Sequence, residues 1–160
     1  MTKTCKRLLV AVPATLLMIG AGPASAGNTI DVAGVMACVN DKWDEKEPAK
    51  GHKLVEYAGR CVVVPDDASA RKYVEDCAGN YEFMPDGTWK GGGTCTAGFK
   101  ESADTISVTW EEGSHLPDYK WDTTGGTGKY KGVKGGGTYK TEELTTTLYG
   151  GRKTGKLELP

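Results

Sequence analysis

Gly126-Thr-Gly-Lys-Tyr-Lys-Gly-Val-Lys-Gly-Gly-Gly-Thr-Tyr139 decides the fold, because glycines recur in it at two- and four-residue spacing between strand-forming residues. Side chains alternate across a strand with a period of two, so an extended reading of 128–139 sets Gly128, Tyr130 and Gly132 on one face. Glycine inside a strand marks a bend, a bulge or the close approach of another backbone. The stretch therefore predicts a curved sheet that closes on itself.

Working outward, strand character recurs at 30–39, 53–64, 74–84, 88–100, 104–112, 119–123 and 128–139, then at 144–159 in one or two pieces. Ile106, Val108 and Trp110 alternate with Thr105, Ser107 and Thr109, the pattern of a strand with one buried and one wet face. Turn chemistry occupies the joins. Residues 40–51 mix charges with Pro48 and Gly51 and read as a surface loop carrying Trp43. Residues 66–72 run from acidic to basic and read as a short helix or turn. The expected architecture is all-β, an antiparallel closed barrel of about eight strands, since closure removes the edges that an open sheet exposes. A two-sheet β-sandwich is the alternative.

Gly-Gly-Thr-Gly-Lys-Tyr-Lys-Gly-Val-Lys-Gly-Gly-Gly-Thr-Tyr, residues 125–139, resembles the glycine-rich hairpin of the allene oxide cyclase and dirigent barrel-like group, and within it small exported bacterial proteins of unassigned role. The resemblance covers those fifteen residues closely and 74–159 loosely, by strand order. It implies an eight-stranded calycin-like barrel with an apolar interior. In the plant members that interior holds a reactive small molecule during cyclisation or coupling. No catalytic position transfers to a numbered residue here.

Lys3, Lys6 and Arg7 precede an apolar run at 8–19, and Ala24-Ser25-Ala26 has the small-residue form of a signal-peptidase site. Residues 1–26 are thus expected to be a signal peptide and 27–160 a single β-barrel domain, periplasmic or extracellular, with no membrane span after processing. The run is too short for a bilayer core, which needs about 20 apolar residues. Of 160 residues, removal of 26 leaves 134, with 17 Lys and Arg against 21 Asp and Glu and a net charge of −4. Nucleic acid is a poor partner for that balance; Lys129, Lys131 and Lys134 read as a solvated strand face.

Cys5 falls in the leader, leaving Cys38, Cys61, Cys77 and Cys95, an even set suited to disulfides in an oxidising compartment. Three pairings are possible. Pro85-Asp86-Gly87 reads as a three-residue hairpin loop, which sets Cys77 opposite Cys95 and leaves Cys38 for Cys61. With no Cys-x-x-Cys pair and only His52 and His115, neither a metal site nor a cofactor is expected.

The string at 150–157 approaches a phosphate-binding loop but places Leu157 where Ser or Thr should hold magnesium, and no helix can follow so near the end of the sequence. Gly126, Gly128 and Gly132 miss the dinucleotide spacing by one residue. Glu112 shares the face of Trp110 and is expected to point into the barrel mouth; with His115 nearby it forms the candidate for acid–base catalysis. Trp110, Tyr119, Trp121, Tyr130 and Tyr139 are candidates for lining a small-molecule pocket, though core packing explains them equally. The leading function is non-catalytic binding of a small apolar molecule or an envelope partner. A cyclase- or isomerase-like enzyme is the alternative, and a protein-binding inhibitor acting through 40–51 is the second. The oligomeric state is left open.

Overall fold

The structure is a computed structural model that describes residues 28–100 and 102–160; the expected signal peptide lies outside them. Eight strands run in chain order: β1 Thr29–Ala49, β2 His52–Pro65, β3 Tyr73–Phe83, β4 Trp89–Phe99, β5 Thr105–Gly113, β6 Tyr119–Gly126, β7 Lys134–Glu143 and β8 Leu148–Glu158. Each pairs antiparallel with its successor, and β8 returns to β1, closing the barrel. Closure rules out the sandwich. Among the described residues, no helix is long and apolar enough to cross a membrane.

Alternation sets the interior. In β5, Ile106, Val108 and Trp110 are buried, and Val63 in β2 is 1% exposed while its neighbours Val62 and Val64 stay outside. The 85–87 hairpin forms as its residues dictate: Gly87 adopts a left-handed φ of 85°, and Asp86 Oδ1 accepts the Thr88 amide at 2.9 Å. Counting outward from it, Cys77 faces Cys95, and the two are joined. Cys38 and Cys61, opposite each other on β1 and β2, form the other disulfide.

Two segments, 40–51 and 128–133, differ from the sequence reading, and a third, 66–72, takes the turn rather than the helix. Residues 40–51 are not a loop: β1 and β2 continue through them as a hairpin arm that turns only at 50 and 51. On its β1 side, residues 40–49 are exposed or half-buried throughout, so hydrophobic alternation vanishes there and cross-strand ion pairs tie it to β2, Lys42 to Glu56 at 2.7 Å and Lys53 to Glu45 at 2.8 Å. Residues 66–72 form turns and bends without a helix, with Asp67 Oδ1 accepting both the amide and the hydroxyl of Ser69. Residues 128–133 are not strand. Gly128–Tyr130 is one turn of 3-10 helix, and left-handed Gly128 and Gly132, φ 54° and 89°, let the chain reverse before β7.

Candidate functional site

The barrel interior has a narrow waist between two open mouths. At the waist, two tryptophans from neighbouring strands, Trp110 and Trp121, stand opposite each other in the β5–β6 register. Their indoles fit because the strands they lean on carry glycines: Trp110 lies over Gly79 and Gly93, Trp121 over Gly155. The Trp121 ring nitrogen donates to the Thr154 carbonyl at 3.0 Å, and Lys153 Nζ sits 4.5 Å from the Trp121 ring centroid. Lys153 also donates to Glu75 at 2.5 Å, and both residues of this pair are 5% exposed. The waist cavity is only about 40 Å³, far below the ~300–1,000 Å³ of typical ligand pockets. Glu75 lies close to Cys77 and Cys95, but the disulfide leaves those sulfurs no thiolate to offer a metal.

One mouth is built around Glu112. This side chain follows the inward face set by Trp110 and accepts hydrogen bonds from the hydroxyls of Tyr139 at 2.8 Å and Tyr81 at 3.0 Å. Burial pushes its carboxyl above the usual glutamate range, and the two phenols pull it partly back. Burial and the same carboxylate push the Tyr81 and Tyr139 hydroxyls far up, so both remain protonated donors. Tyr57 and Tyr149 share a hydroxyl contact of 2.5 Å beside them. Above lies a space of about 290 Å³ walled by Trp43, Tyr57, Tyr81, Phe83, Trp89 and Tyr119.

The other mouth is apolar and larger, about 620 Å³, with Val63, Tyr73, Ala97, Phe99, Ile106 and Tyr130 among its walls. Tyr130 stacks on Phe99 at 5.4 Å, and Phe99 meets Tyr73 at 5.6 Å. The Glu75–Lys153 pair forms part of its floor. The apolar interior implied by the family resemblance is thus only half of what is present, since carboxyl, amine and phenol groups occupy the waist and the Glu112 mouth.

The sequence candidates divide among these places. Trp110, Trp121 and Tyr139 line the waist, with Glu112 at its border with the first mouth and Tyr119 on the wall of that mouth; Tyr130 lies at the opposite mouth, because residues 128–130 leave the sheet. His115 does not join Glu112. It is exposed, 3.5 Å from Glu111, and lies beyond the end of β5 at Gly113. Sequence reasoning passed over Glu75, Lys153, Tyr57, Tyr81 and Tyr149. Glu75 alternates with Cys77, a period-two signal that was available, whereas Lys153 finds Glu75 across 78 residues, a partnership that only closure of the barrel creates.

No family model matches the chain, and no curated protein matches it in sequence. Solved structures do match. The pterocarpan synthase dirigent protein PsPTS1 superposes with a TM-score of 0.55 at 12% identity, over 82% of this chain and 96% of that one. The barrel is dirigent-like in fold. A second pterocarpan synthase dirigent protein, GePTS1, gives the same TM-score at 11% identity, over 95% of this chain and 98% of its own.

Proposed function

We propose that the chain is exported, losing residues 1–26, and that the mature barrel holds a small apolar molecule in its larger mouth without converting it. The carrying observation is the basin of about 620 Å³ walled by Val63, Tyr73, Phe99, Ile106 and Tyr130, a size within the ~300–1,000 Å³ range of ligand pockets. Two disulfides suit an oxidising compartment. His115, which an acid–base reading would pair with Glu112, is exposed beside Glu111.

The test is a fluorescence titration with the neutral apolar probe N-phenyl-1-naphthylamine. Ala97 is 4% exposed and lines the basin, so Ala97→Trp fills it and is expected to weaken the probe by about tenfold or more. Tyr130→Ala, which removes a wall nearer the rim, should weaken it several-fold and serves if the larger replacement disturbs folding. Unchanged affinity in a folded variant of either kind counts decisively against this reading.

A further inference from the structure

We infer that the Glu112 mouth is a second, separate site, one that receives an organic cation: an amine or quaternary ammonium head seated among aromatic rings above the Glu112 carboxylate. The argument begins with a contrast inside one barrel. Among the described residues, two carboxylates line the waist cavity, Glu75 and Glu112. Glu75 is matched by Lys153 at 2.5 Å. Glu112 accepts only neutral phenols, and no lysine, arginine or histidine among the described residues lines the space above it, where the one other carboxylate is Glu143.

A half-buried carboxylate without a counter-charge is costly, and hydrogen bonds offset only part of the lost hydration. The phenols take one site on each oxygen, Tyr81 on Oε2 and Tyr139 on Oε1. Each carboxylate oxygen offers two acceptor positions, so capacity remains for a donor or a charge arriving from the mouth.

The walls suit the same guest. Trp43, Phe83, Trp89 and Tyr119 form a continuous arc, with successive ring centroids 6.4, 6.1 and 5.8 Å apart. Trp43 is 43% exposed on the hairpin arm, leaving indole surface open at the rim. Aromatic faces carry negative quadrupole potential and attract ammonium groups, most strongly where water is excluded. An anion would meet Glu112 and Glu143, and a neutral molecule would leave Glu112 uncompensated. The space of about 290 Å³ admits a small head group.

Choline and its uncharged isostere 3,3-dimethylbutan-1-ol provide the test, titrated against tryptophan fluorescence and by calorimetry. Choline is expected to bind saturably and about tenfold or more tighter than the alcohol, the ratio that desolvated cation–π contact plus charge pairing supplies. Glu112→Gln should cut the preference for choline over the alcohol severalfold, to what the rings alone supply, while leaving the alcohol unchanged, and Trp43→Ala should weaken choline more than the alcohol. The proposal is overturned if choline does not bind saturably, if the two ligands bind equally, or if the folded Glu112→Gln protein keeps the wild-type ratio. Should that variant not fold, an equal loss for both ligands in Trp43→Ala overturns it. Because the apolar basin opens at the other end, naphthylamine binding and its loss in Ala97→Trp stand or fall independently.

Discussion

Glu112 differs from Glu75 by its neighbours, and the difference has a pH signature. Burial raises the Glu112 carboxyl above its usual value of 4.5, against the opposing pull of the Tyr139 and Tyr81 hydroxyls. The folded protein therefore holds a proton that the unfolded chain releases in the same range, and stability falls with pH wherever the native state binds more protons. This contribution is fully present below pH 4.5, declines as pH rises through the raised value, and is constant above it. Glu112→Gln removes the titrating group while keeping an oxygen for one phenol. The unfolding free energy of the variant, measured by urea at a series of pH values, should therefore gain on wild type from pH 4.5 upward and then level off. All other groups are common to the two proteins, so a difference independent of pH would show that burial does not outweigh the phenol hydrogen bonds at Glu112.

At the scale of elements, the glycines make the two waist tryptophans possible. A methyl group at Gly79 would collide with the Trp110 indole and with the backbone of Gly92 and Gly93, whereas one at Gly98, further along β4, would meet nothing. Gly79→Ala should cost about 1–3 kcal/mol, as overpacking does, and Gly98→Ala should be neutral or stabilising by up to about 1 kcal/mol through the unfolded chain. Urea midpoints compare the pair directly; equal effects would mean that Trp110 is not seated on β3. The sequence shows this logic unevenly. Alternation at 105–110 and the Pro85-Asp86-Gly87 turn make β5, the β3–β4 register and the Cys77–Cys95 facing pair legible, because local chemistry determines each. The arm at 40–51 is hidden because its β1 strand buries no residue and is held to β2 by Lys42–Glu56 and Lys53–Glu45, pairs invisible without the register. Gly128 and Gly132 mislead for a different reason, since a glycine at a turn and a glycine in a strand look alike until φ is known.

Over the whole molecule, closure was legible from the number of hairpin-linked strands, but the distribution of strength around the barrel was not. Both disulfides fasten the first half, Cys38 to Cys61 across β1–β2 and Cys77 to Cys95 across β3–β4, and the β1–β2 ladder runs the whole of β2, from the Gly34–Pro65 pair to the Ala49–His52 pair. The β6–β7 ladder runs only from the Tyr119–Tyr139 pair to the Asp122–Gly136 pair before the 3-10 turn separates the strands. Few backbone bonds hold that seam, so its amides should exchange through local opening at low free energy, while those of β1 to β4 exchange only when the barrel unfolds. The sequence separations of 23 and 18 residues correspond to about 3 kcal/mol per disulfide in chain entropy. Reduction raises the entropy of the unfolded chain, so it should strip protection from β1 to β4 and leave the β6–β7 seam nearly as it was. Native-state hydrogen exchange on oxidised and reduced protein measures both halves of this expectation. A seam as protected as β1 to β4, or one that loses protection in step with them on reduction, would show that the barrel opens as a single unit.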